Sequence, residues 1–189
     1  MAIEIPEPLR ERCAAIARRL AREAKGVSWV TPANLHLTLK FLGSARPGRL
    51  ERLAESVAHK AAKMDPFEVE LAGLGCFPSP RRARVIWIGV SQGAESLRVL
   101  ADKVEGAAAK AGFDREARPF SGHLTLGRVR MKSGAAGSGD LSDLIGREAP
   151  GVLGRFSVPE VVLMHSRLHP GGSIYVPIHR IPLGRAGMR

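Results

Sequence analysis

Asn34-Leu35-His36-Leu37-Thr38-Leu39-Lys40-Phe41-Leu42-Gly43 is the stretch on which the reading of this chain turns. Its core, His-Leu-Thr-Leu, recurs unchanged at His123-Leu124-Thr125-Leu126, 87 positions further along a chain of 189. The chain holds three threonines, Thr31, Thr38 and Thr125, and two of them stand two places after a histidine. In a strand, residues i and i+2 share a face while i+1 and i+3 take the other. His36 and Thr38 therefore project together, and Leu35, Leu37, Leu39 and Phe41 carry the parity of a core. His123 and Thr125 separate in the same way from Leu124 and Leu126. Each copy reads as a half-buried strand presenting an imidazole beside a hydroxyl. Lys40 shares the parity of His36 and is expected on the same face. Arg128 has the opposite parity to His123 and reaches that face only if a bulge re-aims it.

The bulk numbers set limits on the rest. A hydrophobic content of 44% and a charged content of 25% suit a folded globular chain. No run approaches the apolar length of a membrane span. The opening residues lack the basic and apolar regions of a secretory signal, so a cytoplasmic location is expected. Cys13 and Cys76 match no metal spacing and read as small buried residues in a reducing compartment. The formal charge of +11, dominated by arginine, points to a polyanionic partner, because Lys and Arg clusters neutralise phosphates.

Outward from the two motifs, the apolar spacing predicts a strand at 2–5 and a helix from Leu9 to Ala24. A strand at 27–30, a helix from Pro47 to Met64 and a strand at 67–71 follow. Gly73, Gly75, Pro78 and Pro80 mark a loop. An apolar strand at 85–90, a helix from about Ala94 to Ala111 and the second motif strand follow it. Residues 131–139 read as a flexible Gly/Ala/Ser loop and 185–189 as a frayed tail. Asp140 is placed to cap a short helix through Ile145. The run Val161 to Met164 and the stretch Ile174 to Ile178 read as a closing hairpin. Strands outnumber helices and do not alternate with them, which argues for α+β with mainly antiparallel sheets. The duplication predicts one bilobal domain over 1–189. Its two pseudo-symmetric lobes each pair a mainly antiparallel sheet with outer helices, and the active-site cleft lies between them.

Two imidazoles in one cleft, one protonated and one neutral, can serve as acid and base in a single displacement near pH 7. A phosphodiester suits them. One imidazole takes a proton from water, the other gives one to the leaving oxygen, and the Thr38 and Thr125 hydroxyls bond the nonbridging oxygens as charge builds there. The histidines are otherwise scattered, with no HExxH, so neither metal nor cofactor is expected.

These residues resemble the two-histidine phosphoesterase superfamily with its HxTx motifs, and within it the RNA 2′,3′-cyclic phosphodiesterases, also called 2′-5′ RNA ligases. Trp29-Val-Thr-Pro-Ala-Asn-Leu-His-Leu-Thr-Leu-Lys-Phe-Leu-Gly43 resembles the first signature of that family. Arg118-Pro-Phe-Ser-Gly-His-Leu-Thr-Leu-Gly-Arg128 resembles the second, with Gly122 where the family usually has Pro. Val162-Leu-Met-His-Ser-Arg-Leu-His-Pro-Gly-Gly-Ser-Ile-Tyr175 resembles the closing hairpin. The resemblance implies a cleft between two antiparallel sheets. It also implies metal-independent opening of a terminal RNA 2′,3′-cyclic phosphate to a 2′-phosphate. By that resemblance His36 is the proton donor, His123 the proton acceptor, and Thr38 and Thr125 bind phosphate. The two identical copies do not themselves assign acid and base.

Lys40, Arg128 and Tyr175 are candidate substrate-binding residues. Trp87 and Phe120 join Tyr175 as candidate stacking platforms, while Phe41 by parity belongs to the core. Arg81, Arg82, Arg84, Arg130 and Lys132 are candidates for holding an RNA backbone. The expected partner is an RNA end, tRNA fragments among them, met by a monomer. The same site would also fit 2′-5′ ligation of RNA ends, a small cyclic-nucleotide phosphodiesterase, or a non-catalytic module that binds RNA ends.

Overall fold

The computed structural model describes residues 1–130, 140–167 and 173–184. The expected loop at 131–139, with Lys132, and the expected tail at 185–189 lie outside them. Among the described residues nine strands form one curled sheet: β1 (Ala2–Glu4), β2 (Val27–Trp29), β3 (His36–Thr38), β4 (Phe67–Phe77), β5 (Val85–Gln92), β6 (His123–Val129), β7 (Val152–Val158), β8 (Glu160–Arg167) and β9 (Ile174–Pro182). Four helices accompany them: α1 (Glu7–Glu23), α2 (Pro47–Ala61), α3 (Ala94–Lys110) and α4 (Ser142–Glu148). The architecture is α+β and every strand pairing is antiparallel.

The strand order is β7-β4-β5-β6-β3-β1-β8-β9, with β2 on the far end of β6. The two motif strands are therefore neighbours at the centre, each with three further strands on its outer side. The two expected sheets are the halves of one sheet, joined where Leu37 faces Leu124. Both leucines are fully buried, and both point into the core under the helices. Each such side chain stabilises the fold by about 2 kcal/mol on burial. The seam between the halves is thus hydrophobic on one face, which leaves the other face to the polar residues of the motif.

The helices follow their apolar stripes. Leu9, Cys13, Ile16 and Leu20 of α1 are buried at helical spacing, and Pro8 stands in the first turn, where a missing N–H is harmless. In α3 the buried row is Leu97, Leu100, Ala101, Val104 and Ala108. The N-cap position of α4 is Leu141 and not the expected Asp140, which stands one residue earlier and accepts from the Ser142 amide at 2.8 Å. The stretch 73–77, expected as a loop, continues β4 instead. Gly73 takes a left-handed turn at a register shift. Gly75 lies flat beneath the Trp87 ring, where a Cβ would come within 2.4 Å of ring carbon. Here glycine provides room for an aromatic neighbour and does not end the strand.

Candidate active site

The seam fixes the four motif residues. With Leu37 opposite Leu124, continuing the antiparallel register by one residue sets His36 opposite Thr125 and Thr38 opposite His123. All four share the face away from the core. The two histidines occupy diagonal positions, their Cα atoms roughly 7–8 Å apart by the geometry of such a ladder. Outward, Glu4 and Ala2 pair with His36 and Thr38, while Gly89 and Trp87 pair with His123 and Thr125.

Each imidazole is held in the same way. His36 Nδ1 lies 2.8 Å from the Asn34 carbonyl oxygen, and His123 Nδ1 lies 2.8 Å from that of Ser121. A carbonyl only accepts, so Nδ1 carries the proton in both rings and Nε2 is left for chemistry. With Gly122 before it, His123 makes the same Nδ1 bond at the same distance as His36. Each ring also meets an aromatic edge. Tyr175 stands 4.7 Å from His36 at 69°, and Phe77 stands 5.0 Å from His123 at 87°. Burial lowers the pKa of both histidines, and the Arg128 guanidinium lowers both further. The Nδ1 hydrogen bonds work in the opposite sense, and for His36 so does Glu4.

Arg128 reaches the face through a bulge. The β5–β6 register passes from Ile86 opposite Gly127 to Trp87 opposite Thr125, so Leu126 is an extra residue on β6. Leu126 and Val129, three apart, are both buried as a result. Arg128 is turned onto the side of His123 and Thr125, and its charge acts on both imidazoles. The simple alternation, which puts Arg128 on the core side, is corrected by that one residue.

Lys40 and Phe41 exchange the places expected of them. β3 ends at Thr38, so its alternation does not extend further. Leu39 and Lys40 are both buried in succession, and Phe41 is 60% exposed. The Lys40 ammonium contacts Glu105 Oε2 at 2.8 Å and donates to the Asp114 carbonyl at 2.8 Å. It ties the end of β3 to α3 and is not directed at a phosphate. Phe41 leaves the core and edges the cleft.

The cleft widens on one side. A cavity of about 750 Å³ is lined by His36, Thr38, Phe41, Tyr175, Ile178 and His179, among others, and by neither His123 nor Thr125. On the other side Phe77 sets its edge against His123 at 5.0 Å and packs on Trp87, which stands 6.4 Å from His123. Phe120 packs on the core and is not a free platform. Arg81, Arg82, Arg84 and Arg130 are exposed. Phe77 went unread in the sequence because the glycines beside it resembled a loop, although Gly75 and Phe77 alternate with the buried Cys76. Among the described residues no three His, Cys, Asp or Glu side chains converge as a metal site requires, and no helix is long and apolar enough to cross a membrane.

Paired imidazoles flanked by hydroxyls and a guanidinium are the groups that acid–base cleavage of a phosphoester calls for. The chain belongs to the LigT-like phosphoesterase family, whose pattern matches it twice, over residues 3–87 and 88–175, once around each histidine. It is 37% identical over 175 residues to the RNA 2′,3′-cyclic phosphodiesterase of Methanothermobacter thermautotrophicus, a match covering 93% of this chain and 92% of that protein. It is 34% identical to the enzyme of the same name from Archaeoglobus fulgidus, covering 93% and 94%. Among solved structures, E. coli LigT complexed with 3′-AMP superposes with a TM-score of 0.73 at 28% identity, covering 96% of this chain and 95% of that one.

Proposed function

We infer that this phosphoesterase hydrolyses the 2′,3′-cyclic phosphate at the end of an RNA, leaving a 2′-phosphate. The observation that carries the reading is the pair of Nε2 atoms on one sheet face, each fixed by an Nδ1–H bond to a carbonyl, with Thr38 and Thr125 between them. Relatives over nine-tenths of the chain bear the name of this activity.

The position of the cavity supports assigning the roles. In an in-line opening, water attacks phosphorus opposite the breaking P–O3′ bond. O3′ stays on the ribose, so the nucleoside lies on the side of the acid and the water on the side of the base. The cavity with room for a nucleoside is beside His36, whereas Phe77 and Trp87 stand against His123. His36 Nε2 then gives its proton to O3′ as that bond breaks. His123 Nε2 takes a proton from water as the new P–O bond forms. The Thr hydroxyls donate to the nonbridging oxygens, and Arg128 balances their charge. Tyr175 and Phe41 offer the terminal base two aromatic walls.

The test is an RNA oligomer ending in a 2′,3′-cyclic phosphate, with products resolved into 2′- and 3′-phosphates. The expected product is the 2′-phosphate. His36→Ala and His123→Ala should each reduce turnover at least about 10³-fold while circular dichroism stays native. Full activity in either folded variant, or a 3′-phosphate product, would overturn the mechanism.

A further inference from the structure

We propose that Asn34 is a positioning residue that couples occupancy of the nucleoside pocket to the placement of His36. The inference rests on the cyclic phosphodiesterase reading given above and concerns the same site. Asn34 makes two contacts of different kinds. Its backbone oxygen accepts the His36 Nδ1 proton at 2.8 Å. Its side-chain Nδ2 donates to the carbonyl of Ser173, 139 positions away, at 2.5 Å. Two residues past Ser173 on β9, Tyr175 lines the cavity and sets its ring edge against His36. The start of β9 therefore reaches His36 by two routes, once through Asn34 and once through Tyr175.

Among the described residues the second histidine has no such connection. Its Nδ1 partner is the Ser121 carbonyl, and the Ser121 residue is exposed. Its aromatic neighbour, Phe77, pairs with Val85 of β5 at the end of β4 and does not line the cavity. β9 is an edge strand with β8 as its one neighbour. The repeat is thus symmetric in the bond each imidazole makes and asymmetric in what stands behind that bond. His123 is braced by Phe77, which takes no part in the cavity. His36 is held by a hairpin that is itself a wall of the pocket.

A base seated against Tyr175 steadies this wall, and through Asn34 it steadies the acid. Binding energy from a part of the substrate remote from phosphorus then appears in kcat and not only in KM. Displacing a catalytic group by about 1 Å can cost 10²-fold, so a modest tightening is readily measured.

The experiment compares adenosine 2′,3′-cyclic phosphate with the 2,3-cyclic phosphate of 1-O-methylribose, which lacks the base. In the unaltered protein the base should raise kcat about tenfold in addition to lowering KM. In Asn34→Ala the kcat advantage should shrink to less than about twofold, while the KM advantage persists. Asn34→Asp keeps the size of the side chain but has no donor for Ser173, and it should lose the kcat advantage in the same way. An undiminished kcat advantage in either folded variant overturns the coupling. Failure of the unaltered protein to open either ring would instead overturn the underlying reading of function.

Discussion

At the scale of single residues, the two histidines combine a common orientation with a common electrostatic load. Burial and the Arg128 guanidinium both disfavour the imidazolium. The proposed acid–base mechanism needs one imidazole protonated and one neutral. With both pKa values lowered, the protonated acid is lost as pH rises toward neutrality. The pH profile of kcat/KM, which reports the free enzyme, should therefore peak below the ordinary histidine value of about 6.5. Arg128→Ala removes a positive charge from both rings, so both pKa values rise and the optimum moves to higher pH, while the rate at the optimum falls. Measuring kcat/KM from acid to alkaline pH in both proteins checks the sign. An optimum that moves down in the variant would contradict the placement of Arg128 over both imidazoles.

At the scale of elements, the alternation of polar and apolar residues in the two motif strands was legible in the sequence, and the breaks in that alternation were not. Parity separated His36 and Thr38 from Leu37, and the structure keeps that division. It misplaced Lys40 and Phe41 because β3 stops at Thr38, and a strand's end is set by what the chain meets next. It made the place of Arg128 conditional on a bulge, and the extra residue on β6 that supplies the bulge depends on pairing with β5, a partner distant in sequence. Gly75 was read as a loop because its reason is the Trp87 ring on the next strand. Two substitutions test these accounts. Gly75→Ala should destabilise by about 1–3 kcal/mol in urea unfolding, because the ring must move to admit a methyl group. It should also lower activity, since Trp87 stacks on the Phe77 that braces His123. Lys40→Met leaves Glu105 without its cation and should cost about 2–3 kcal/mol, less than a fully buried pair because Glu105 is partly exposed. Adding Glu105→Leu should recover part of that loss. If Lys40→Met left stability intact and weakened substrate binding alone, the phosphate role first expected of Lys40 would be restored.

At the scale of the whole molecule, the duplication and the charge were both readable before any coordinates, but they answer different questions. The duplication places the two imidazoles side by side, since β3 and β6 are neighbours in one sheet. The charge of +11 bears on what lies beyond the reacting phosphate. Arg84 and Arg130 are exposed beside Arg128 at the end of the β5–β6 ladder, where Val129 donates its amide to the Arg84 carbonyl. An RNA oligomer bound at this end would have its upstream phosphates neutralised there, with release of condensed counterions. Three such contacts on a single strand give a slope of about −2 in log affinity against log salt. KM for a cyclic-ended oligomer should then rise roughly 15- to 20-fold between 50 and 200 mM salt. A mononucleoside 2′,3′-cyclic phosphate, which reaches no further than the cleft, should show a much shallower dependence. Arg84→Ala combined with Arg130→Ala should flatten the oligomer slope toward that of the mononucleotide and leave the mononucleotide itself unchanged. Parallel slopes for the two substrates would mean that the excess arginine acts only as a diffuse surface field, and that the protein recognises the phosphate ring and its nucleoside without reading the strand behind them.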